Sequence, residues 1–337
     1  MRVEAAASFF GEGGVEMDHS NLAAGRPEIS VVVPVYGCES CLRALCDRLV
    51  ATLTKLTPLF EIILVDDRSP QSDWTVIRAL ADSDARVRGV RLCRNFGQHH
   101  AIAAGLRYAE GNWTVVMDCD LQDPPEEIAR LYQTAIAGSP VVFSRRMNRK
   151  DGGAKRGASR AFSWIHGMFG GFEADASVGN FSIIARRVVL QLRQFRERTR
   201  NYGMEVHWLG FQTTYVDVEH AARHSGKSTY TLAKQLRHAL STVLSQSTRP
   251  LYASAGLGFA MALGSALYAL HLMYRRLFYG LGVEGWTSVM VSLFFLFGVL
   301  IMNLGVLGLY LGSIFLELKN RPPFVVEQTT FDSPEEV

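Results

Sequence analysis

The chain predicts an α/β domain built on a mostly parallel sheet, followed by a membrane-embedded end. Three observations carry this reading. Strand-like apolar runs alternate with helical patterns from Glu28 to about Phe143, the βαβ alternation of a parallel sheet. Polar clusters stand where three of those runs end: Pro34-Val35-Tyr36, Asp66-Asp67 and Asp118-Cys119-Asp120. Leu251–Leu316 is almost wholly apolar, whereas the chain before Pro250 has the composition of a soluble protein.

The elements follow in order. Ile29–Val35 is a β-branched strand, and Cys38–Leu53 has helical spacing. Glu61–Val65 is a strand that ends at Asp66-Asp67; a helix over Ser72–Ala81 and a strand over Val87–Leu92 come next. Gly97–Ala109 reads as a helix, and Gly111-Asn112 turns the chain into strand Trp113–Met117. Pro124 opens a helix to Ala137, and Val141–Phe143 is a strand. Gly157–Gly171 reads as a loop with a helix, while Phe181–Ile184 and Thr213–Val218 can add strands. Tyr230, Leu232, Leu236, Leu240, Val243 and Leu244 recur at helical spacing, with Lys234, Arg237 and His238 on other faces. That pattern fits an amphipathic helix at the membrane surface or a core helix of the soluble domain.

Leu251–Leu270 and Gly285–Leu316 carry no charge and are long enough to cross a bilayer. Lys234, Arg237 and Arg249 precede the first span and Lys319 and Arg321 follow the second; Arg275 and Arg276 lie between. The basic excess outside the hairpin places the soluble domain and both termini in the cytoplasm. Gly256, Gly258, Gly264, Gly305, Gly308 and Gly312 allow close helix packing, and Asn303 suits a helix–helix hydrogen bond. Residues 1–26 then form a loose tail without the apolar core of a signal peptide. Residues 27–228 are the soluble domain, 229–250 the amphipathic helix, 251–317 the two-span hairpin and 318–337 a C-terminal tail.

Composition excludes some functions. A net charge of +3 over 337 residues gives no argument for nucleic acid. The cluster Arg145, Arg146, Arg149, Lys150, Lys155, Arg156 and Arg160 fits anionic phosphates, lipid head groups or a solvated loop. No Gly-x-Gly-x-x-Gly follows the first strand, so hydride chemistry on a dinucleotide has no support. Cys38-x-x-Cys41 lacks a second pair at zinc spacing, so the five cysteines read as buried or inert thiols.

In an open α/β sheet, ligands bind beyond the carboxyl ends of the strands. Asp118 and Asp120, with Cys119 turned away, can hold one hard cation between them, and Gln122 offers a third oxygen. Oxygen ligands suit magnesium or manganese with positions left for substrate phosphates. Such an ion neutralises charge on a departing diphosphate. Pro34 and Tyr36 offer backbone groups and an aromatic face for a base, and Asp66 or Asp67 can accept from ribose or base, although Asp66 also suits a turn or helix cap. In Arg223-His224-Ser225-Gly226-Lys227-Ser228, Arg223 can close over the diphosphate and Ser228 can donate to it.

The ordered set Val33-Pro34-Val35-Tyr36, Val65-Asp66-Asp67-Arg68-Ser69, Arg94-Asn95-Phe96-Gly97-Gln98-His99, Asp118-Cys119-Asp120-Leu121-Gln122-Asp123-Pro124-Pro125-Glu126, Arg223-x-x-Gly226-x-Ser228, two spans and Asn320-Arg321-Pro322 resembles the polyprenyl-phosphate glycosyltransferases of glycosyltransferase family 2. The resemblance runs from about Glu28 to Gln328. It implies an A-type glycosyltransferase (Rossmann-like) fold and inverting transfer of one sugar from a nucleoside diphosphate, UDP-glucose first, to polyprenyl phosphate. Undecaprenyl phosphate is the first acceptor. Mg2+ or Mn2+ is the implied cofactor and a homo-oligomer the implied assembly. By the same resemblance, Glu39, Asn95 and Gln98 join the nucleotide set, and Arg146, Lys155, Arg156 and Ser159 grip the acceptor phosphate. Asp118, Asp120 and Arg223 are the expected catalytic residues. Asn180 stands where relatives carry an acid, with Asp175 nearby; Gly37-Cys38 and Thr229 also depart from the pattern. A lipid phosphate is largely ionised at pH 7 and needs no strong base. The alternatives are a processive polysaccharide synthase, against which the missing Gln-x-x-Arg-Trp element argues, and an inactive scaffold that keeps the nucleotide-binding fold.

Overall fold

The computed structural model describes residues 26–146, 178–218, 249–279 and 285–332. Its centre is an eight-stranded sheet in the order β7-β5-β6-β4-β1-β2-β3-β8. The strands are β1 (Ile29–Val35), β2 (Phe60–Asp66), β3 (Val87–Leu92), β4 (Trp113–Val116), β5 (Val141–Arg146), β6 (Val178–Ala185), β7 (Thr213–Val218) and β8 (Val326–Thr329). The pairs β1–β2, β1–β4, β2–β3 and β5–β7 are parallel, whereas β6 runs against β4 and β5, and β8 against β3. The reading of a mostly parallel α/β sheet holds, and two reversed strands make it mixed.

Period two in the central strands feeds two cores. Val31, Val33, Ile62 and Leu64 face helices α1 (Glu39–Leu53), α2 (Asp73–Ser83) and α4 (Ile128–Ile136). Val32, Ile63, Val65 and Val116 face α3 (Gln98–Tyr108), α5 (Arg186–Leu192) and α6 (Tyr202–Trp208). Pro124 is extended, and a 3-10 turn, Pro125–Glu127, leads into α4. The helix expected from Pro124 therefore begins four residues later.

Gly105 lets α3 lie on the sheet. A Cβ there would collide with Cγ1 of Val32 and reach within 3.1 Å of Cγ2 of Val65. Both neighbours are β-branched and fully buried, so they have no easy rotamer to retreat to. Gly105→Ala is expected to cost about 1–3 kcal/mol through overpacking, more than the ~1 kcal/mol by which Ala favours a helix. Denaturant unfolding of the two proteins checks this; an unchanged midpoint would mean that α3 can lift off the sheet.

Two long helices follow, α7 (Arg249–Tyr279) and α8 (Trp286–Leu318). Within them Ser254–Arg275 and Ser292–Leu318 are long and apolar enough to cross a membrane. Leu263, Leu267, Phe294, Phe297 and Leu304 are exposed on them. Two expectations concern the packing of this hairpin. A Cβ on Gly256, Gly258, Gly264, Gly305, Gly308 or Gly312 would meet nothing within 4 Å, so these glycines mediate no close approach here. Asn303 donates to its own helix, Nδ2 to the Val299 carbonyl at 2.9 Å. The expected tail also contains structure: β8 returns from the second span to the sheet edge at β3. The amphipathic helix expected at 229–250 lies almost wholly outside the described residues; α7 begins at Arg249.

Candidate active site

The connections β1–β2–β3 step one way along the sheet, and the chain then crosses back to place β4 on the other side of β1. Such a switch point opens a crevice at the carboxyl ends. Pairing of β1 with β4 stops at Val32–Val116, with a last bond from the Met117 amide to the Val32 carbonyl. Pro34, which has no N–H to donate, lies just beyond. Pairing with β2 continues to Val35–Asp66. The loops after β1, β2, β3 and β4 therefore meet at one end.

The β4 loop alternates as the sequence requires. Asp118, Asp120 and Gln122 are half-buried, whereas Cys119, Leu121 and Asp123 are buried. Leu121 holds this path in the left-handed region, φ +61°, uncommon for a residue with a side chain. Asp120 Oδ1 accepts the Gln122 amide at 3.1 Å. Gln98 Nε2 donates to Asp118 Oδ1 at 2.5 Å, so the first turn of α3 reaches the first carboxylate. The antiparallel register Val116–Ser182, carried two residues on, brings Asn180 of β6 level with Asp118.

The β2 loop is more structural than the sequence suggested. Asp66 Oδ1 accepts the Ser69 amide at 2.9 Å, which is its turn-forming alternative. Its Oδ2 lies 3.2 Å from Arg91 Nε, and burial raises its pKa. Asp67 spends both oxygens on the turn after β3: Oδ1 accepts from Phe96 N at 2.7 Å and Oδ2 from Gly97 N at 2.8 Å. Burial pushes its pKa up to about 6 against the pull of those two bonds. Asn95 and Gln98 are exposed on that turn and in the first turn of α3. Asp67 thus fixes from beneath the turn that carries Asn95 and leads into Gln98.

The β1 loop has a clamp that sequence reasoning missed. Buried Asp73, in the first turn of α2, takes the Gly37 amide on Oδ2 at 2.7 Å and the Cys38 amide at 3.2 Å. Gly37 has φ +70°, so its departure from the family pattern suits the turn. Tyr36 is 53% exposed and open to a stacking partner. Glu39 accepts the Ser72 amide at 3.3 Å and ties this loop to α2.

One expectation about the cysteines is corrected. Cys38 and Cys119 form a disulfide with Cα atoms 6.3 Å apart, while Cys41 and Cys46 are buried thiols and Cys93 an exposed one. The bridge joins the β1 loop to the centre of Asp118-Cys119-Asp120. Non-reducing peptide mapping of protein alkylated at lysis should recover the Cys38 and Cys119 peptides joined. Separate alkylated peptides would return both to the thiol state.

Arg146 ends β5, opposite Val218 of β7. Lys155, Arg156, Ser159, Arg223 and Ser228 lie outside the described residues, as does Asp175. Among the described residues no group of three His, Cys, Asp or Glu could hold a metal. Asp118, Asp120 and Gln122 still offer an all-oxygen donor set on one side of a loop. Such a set fits a hard divalent ion that takes its remaining ligands from a diphosphate.

The family described as Glycosyl transferase family 2 matches residues 30–198, a span that includes every loop of this crevice. The SfII prophage-derived bactoprenol glucosyl transferase of Shigella flexneri is 34% identical over 309 residues, 91% of this chain and 100% of that one. The undecaprenyl-phosphate 4-deoxy-4-formamido-L-arabinose transferase of Pseudomonas paraeruginosa is 34% identical over 309 residues, 91% of each. With this family match and relatives that align over nine-tenths or more of their length, the chain belongs to glycosyltransferase family 2, among the polyprenyl-phosphate glycosyltransferases.

Proposed function

We propose that the chain moves one sugar from a nucleoside diphosphate, UDP-glucose first, to undecaprenyl phosphate with inversion at the sugar carbon. The observation that supports this reading is the pair Asp118 and Asp120, both partly exposed on either side of buried Cys119 in the loop that follows β4, beside the β1/β4 switch point. Asp118, Asp120 and Gln122 are the residues to hold Mg2+ or Mn2+, which when bound stabilises charge on the leaving diphosphate. Tyr36 and the Asp66 turn receive the base and ribose. Gln98 keeps the Asp118 carboxylate aimed at the crevice.

An oxygen of the lipid phosphate attacks the anomeric carbon. The bond to the nucleoside diphosphate breaks, and its electron pair leaves on the β-phosphate oxygen. The phosphate is already largely ionised at pH 7, so Asn180 at the base position is compatible with turnover. Positioning and charge stabilisation then supply the rate. Arg223 and Ser228 on the donor, and Arg146, Lys155, Arg156 and Ser159 on the acceptor, complete the proposed set.

Two spans with Arg249 before them and Lys319 and Arg321 after favour a catalytic domain and termini in the cytoplasm. The Cys38–Cys119 bridge pulls the other way, because cytosolic thiols are held reduced. Labelling of introduced cysteines at the hairpin loop from either side of sealed vesicles tests the orientation.

The test of function is a donor screen on the full chain with manganese and undecaprenyl phosphate. UDP-glucose, UDP-galactose, UDP-N-acetylglucosamine and GDP-mannose are offered, with nucleotide release and lipid product both followed. One donor should give one sugar per lipid, dependent on metal. A polymer of sugars, or nucleotide binding without turnover on any donor, would overturn the reading.

A further inference from the structure

We infer that Glu327, nine residues beyond the end of the second span, is a positioning residue for the donor-binding turn. This inference rests on the proposed role of the Asp66 turn in receiving the nucleotide. The evidence begins with register. Val90 pairs with Thr329 and Arg91 with Gln328, but Leu92 pairs with Val326. Glu327 is therefore the extra residue of a β-bulge. A bulge re-aims a side chain that the pleat would otherwise direct, and bulges concentrate beside active sites.

The re-aimed carboxylate meets two arginines. Glu327 accepts from Arg68 Nη1 and lies 3.4 Å from Arg91 Nε. Arg91 Nε is also 3.2 Å from Asp66 Oδ2, near enough for charge contact with both acids and aligned for a hydrogen bond with neither. Arg68 follows Asp66-Asp67 directly and sits at φ +55°. The order Asp66–Arg91–Glu327–Arg68 alternates in sign and encloses the turn from the side of the sheet edge. With the Gln328 amide turned oxygen-inward, it accepts from Arg91 Nη1 at 3.2 Å and Trp74 Nε1 at 3.0 Å, which fixes the Arg91 side chain.

The strand that delivers Glu327 is anchored independently of it. The Cys93 amide bonds the Val325 carbonyl, the Thr330 amide bonds the Gly89 carbonyl, both at 3.0 Å, and Gly89 N donates to Thr330 Oγ1 at 2.8 Å. Phe331 packs edge-on against Tyr108 and under Arg88. Arg68 and Glu327 are 41% and 38% exposed, and exposed ion pairs add little to stability. Removing the Glu327 charge should therefore leave the strand in place and release the turn.

The experiment measures affinity of the full chain for uridine diphosphate and guanosine diphosphate, each with manganese, by titration calorimetry. Steady-state kinetics with the donor from the screen and a thermal melt accompany it. Glu327→Gln should weaken nucleotide binding and raise donor KM by about fivefold or more, with kcat within twofold and an unchanged melting temperature. Glu327→Asp should recover part of the affinity. Glu327→Ala and Arg68→Ala should be non-additive in KM when combined. Unchanged affinity in Glu327→Gln, or kcat and the melt falling together, would overturn the inference. Asp66→Asn separates the two levels. If it weakens binding and Glu327→Gln does not, only the Glu327 inference fails; if neither nucleotide binds the wild type, or Asp66→Asn has no effect, the underlying reading fails with it.

Discussion

Asp120→Asn should lower kcat/KM for sugar transfer by about 10²–10³-fold, roughly 3–4 kcal/mol of transition-state stabilisation, while the protein still folds. The substitution keeps shape and removes charge. Asp120 is half-buried at the mouth of the crevice and outside both hydrophobic cores, so its loss opens no cavity. An amide oxygen can still accept the Gln122 amide, as Oδ1 does now at 3.1 Å. What it cannot do is offer a hard cation a full negative charge. The loss should therefore be shallower at high manganese, and the metal concentration for half-maximal rate should rise. Chelation should bring the wild type down to the level of the variant and lower the variant little further. Asp118→Asn should behave similarly, since its amide oxygen can still accept from Gln98 while the charge is lost. Full activity in Asp120→Asn, or equal sensitivity of both proteins to chelator, would remove the metal from the reading.

The placement of Asp118 and Asp120 just beyond an apolar strand was legible in sequence because its signal is local. An apolar run that ends in Asp-x-Asp predicts a buried residue between two more exposed acids, and Cys119 is buried between partly exposed Asp118 and Asp120. Most of the strands were legible for the same reason, but the strand order was not, because the crossover that places β4 beside β1 leaves no local signal. Contacts decided by tertiary approach were not. Cys38 and Cys119 are 81 residues apart, and no spacing rule pairs them. Asp73 looks like an ordinary acid in a helix first turn, a common preference with no implied partner; only the fold brings Gly37 and Cys38 to it. The seven-residue helices α5 and α6 are too short for a periodic signal. β8 is only four residues long and follows a candidate span, and its bulge breaks the alternation that would mark it. Glycines in the spans read as packing contacts because composition carries no partner, and within one chain those faces stay open.

Asp67 was expected to accept from a ribose or a base, yet both its oxygens accept backbone amides, and its protonation should set stability and activity in opposition. It is 3% exposed, and burial raises its pKa to about 6. A carboxyl raised above its unfolded value of about 3.9 binds its proton more tightly when folded. Ionised Asp67 therefore costs stability at pH 7, and the cost is relieved as pH falls through about 6 toward 4. A shift of about two units corresponds to roughly 3 kcal/mol at full extent. Function runs the other way. The ionised group is the acceptor for both Phe96 N and Gly97 N, and that turn leads into Gln98, which holds Asp118. Activity should fall below pH 6 as one oxygen becomes a hydroxyl that faces an N–H. In Asp67→Asn one amide N–H2 faces a backbone donor at every pH, so the rate at pH 7 should drop by about tenfold or more, in line with one lost charge-assisted bond. The acceptor phosphate also titrates near 6, so the wild-type profile alone does not identify the group. Asp67→Asn does: its profile should retain only the acceptor limb, and the stability difference, wild type minus variant, should decline as pH rises from 4 to 7. A difference that grows over that interval would mean that Asp67 is stabilised by its two amides more than it is penalised by burial.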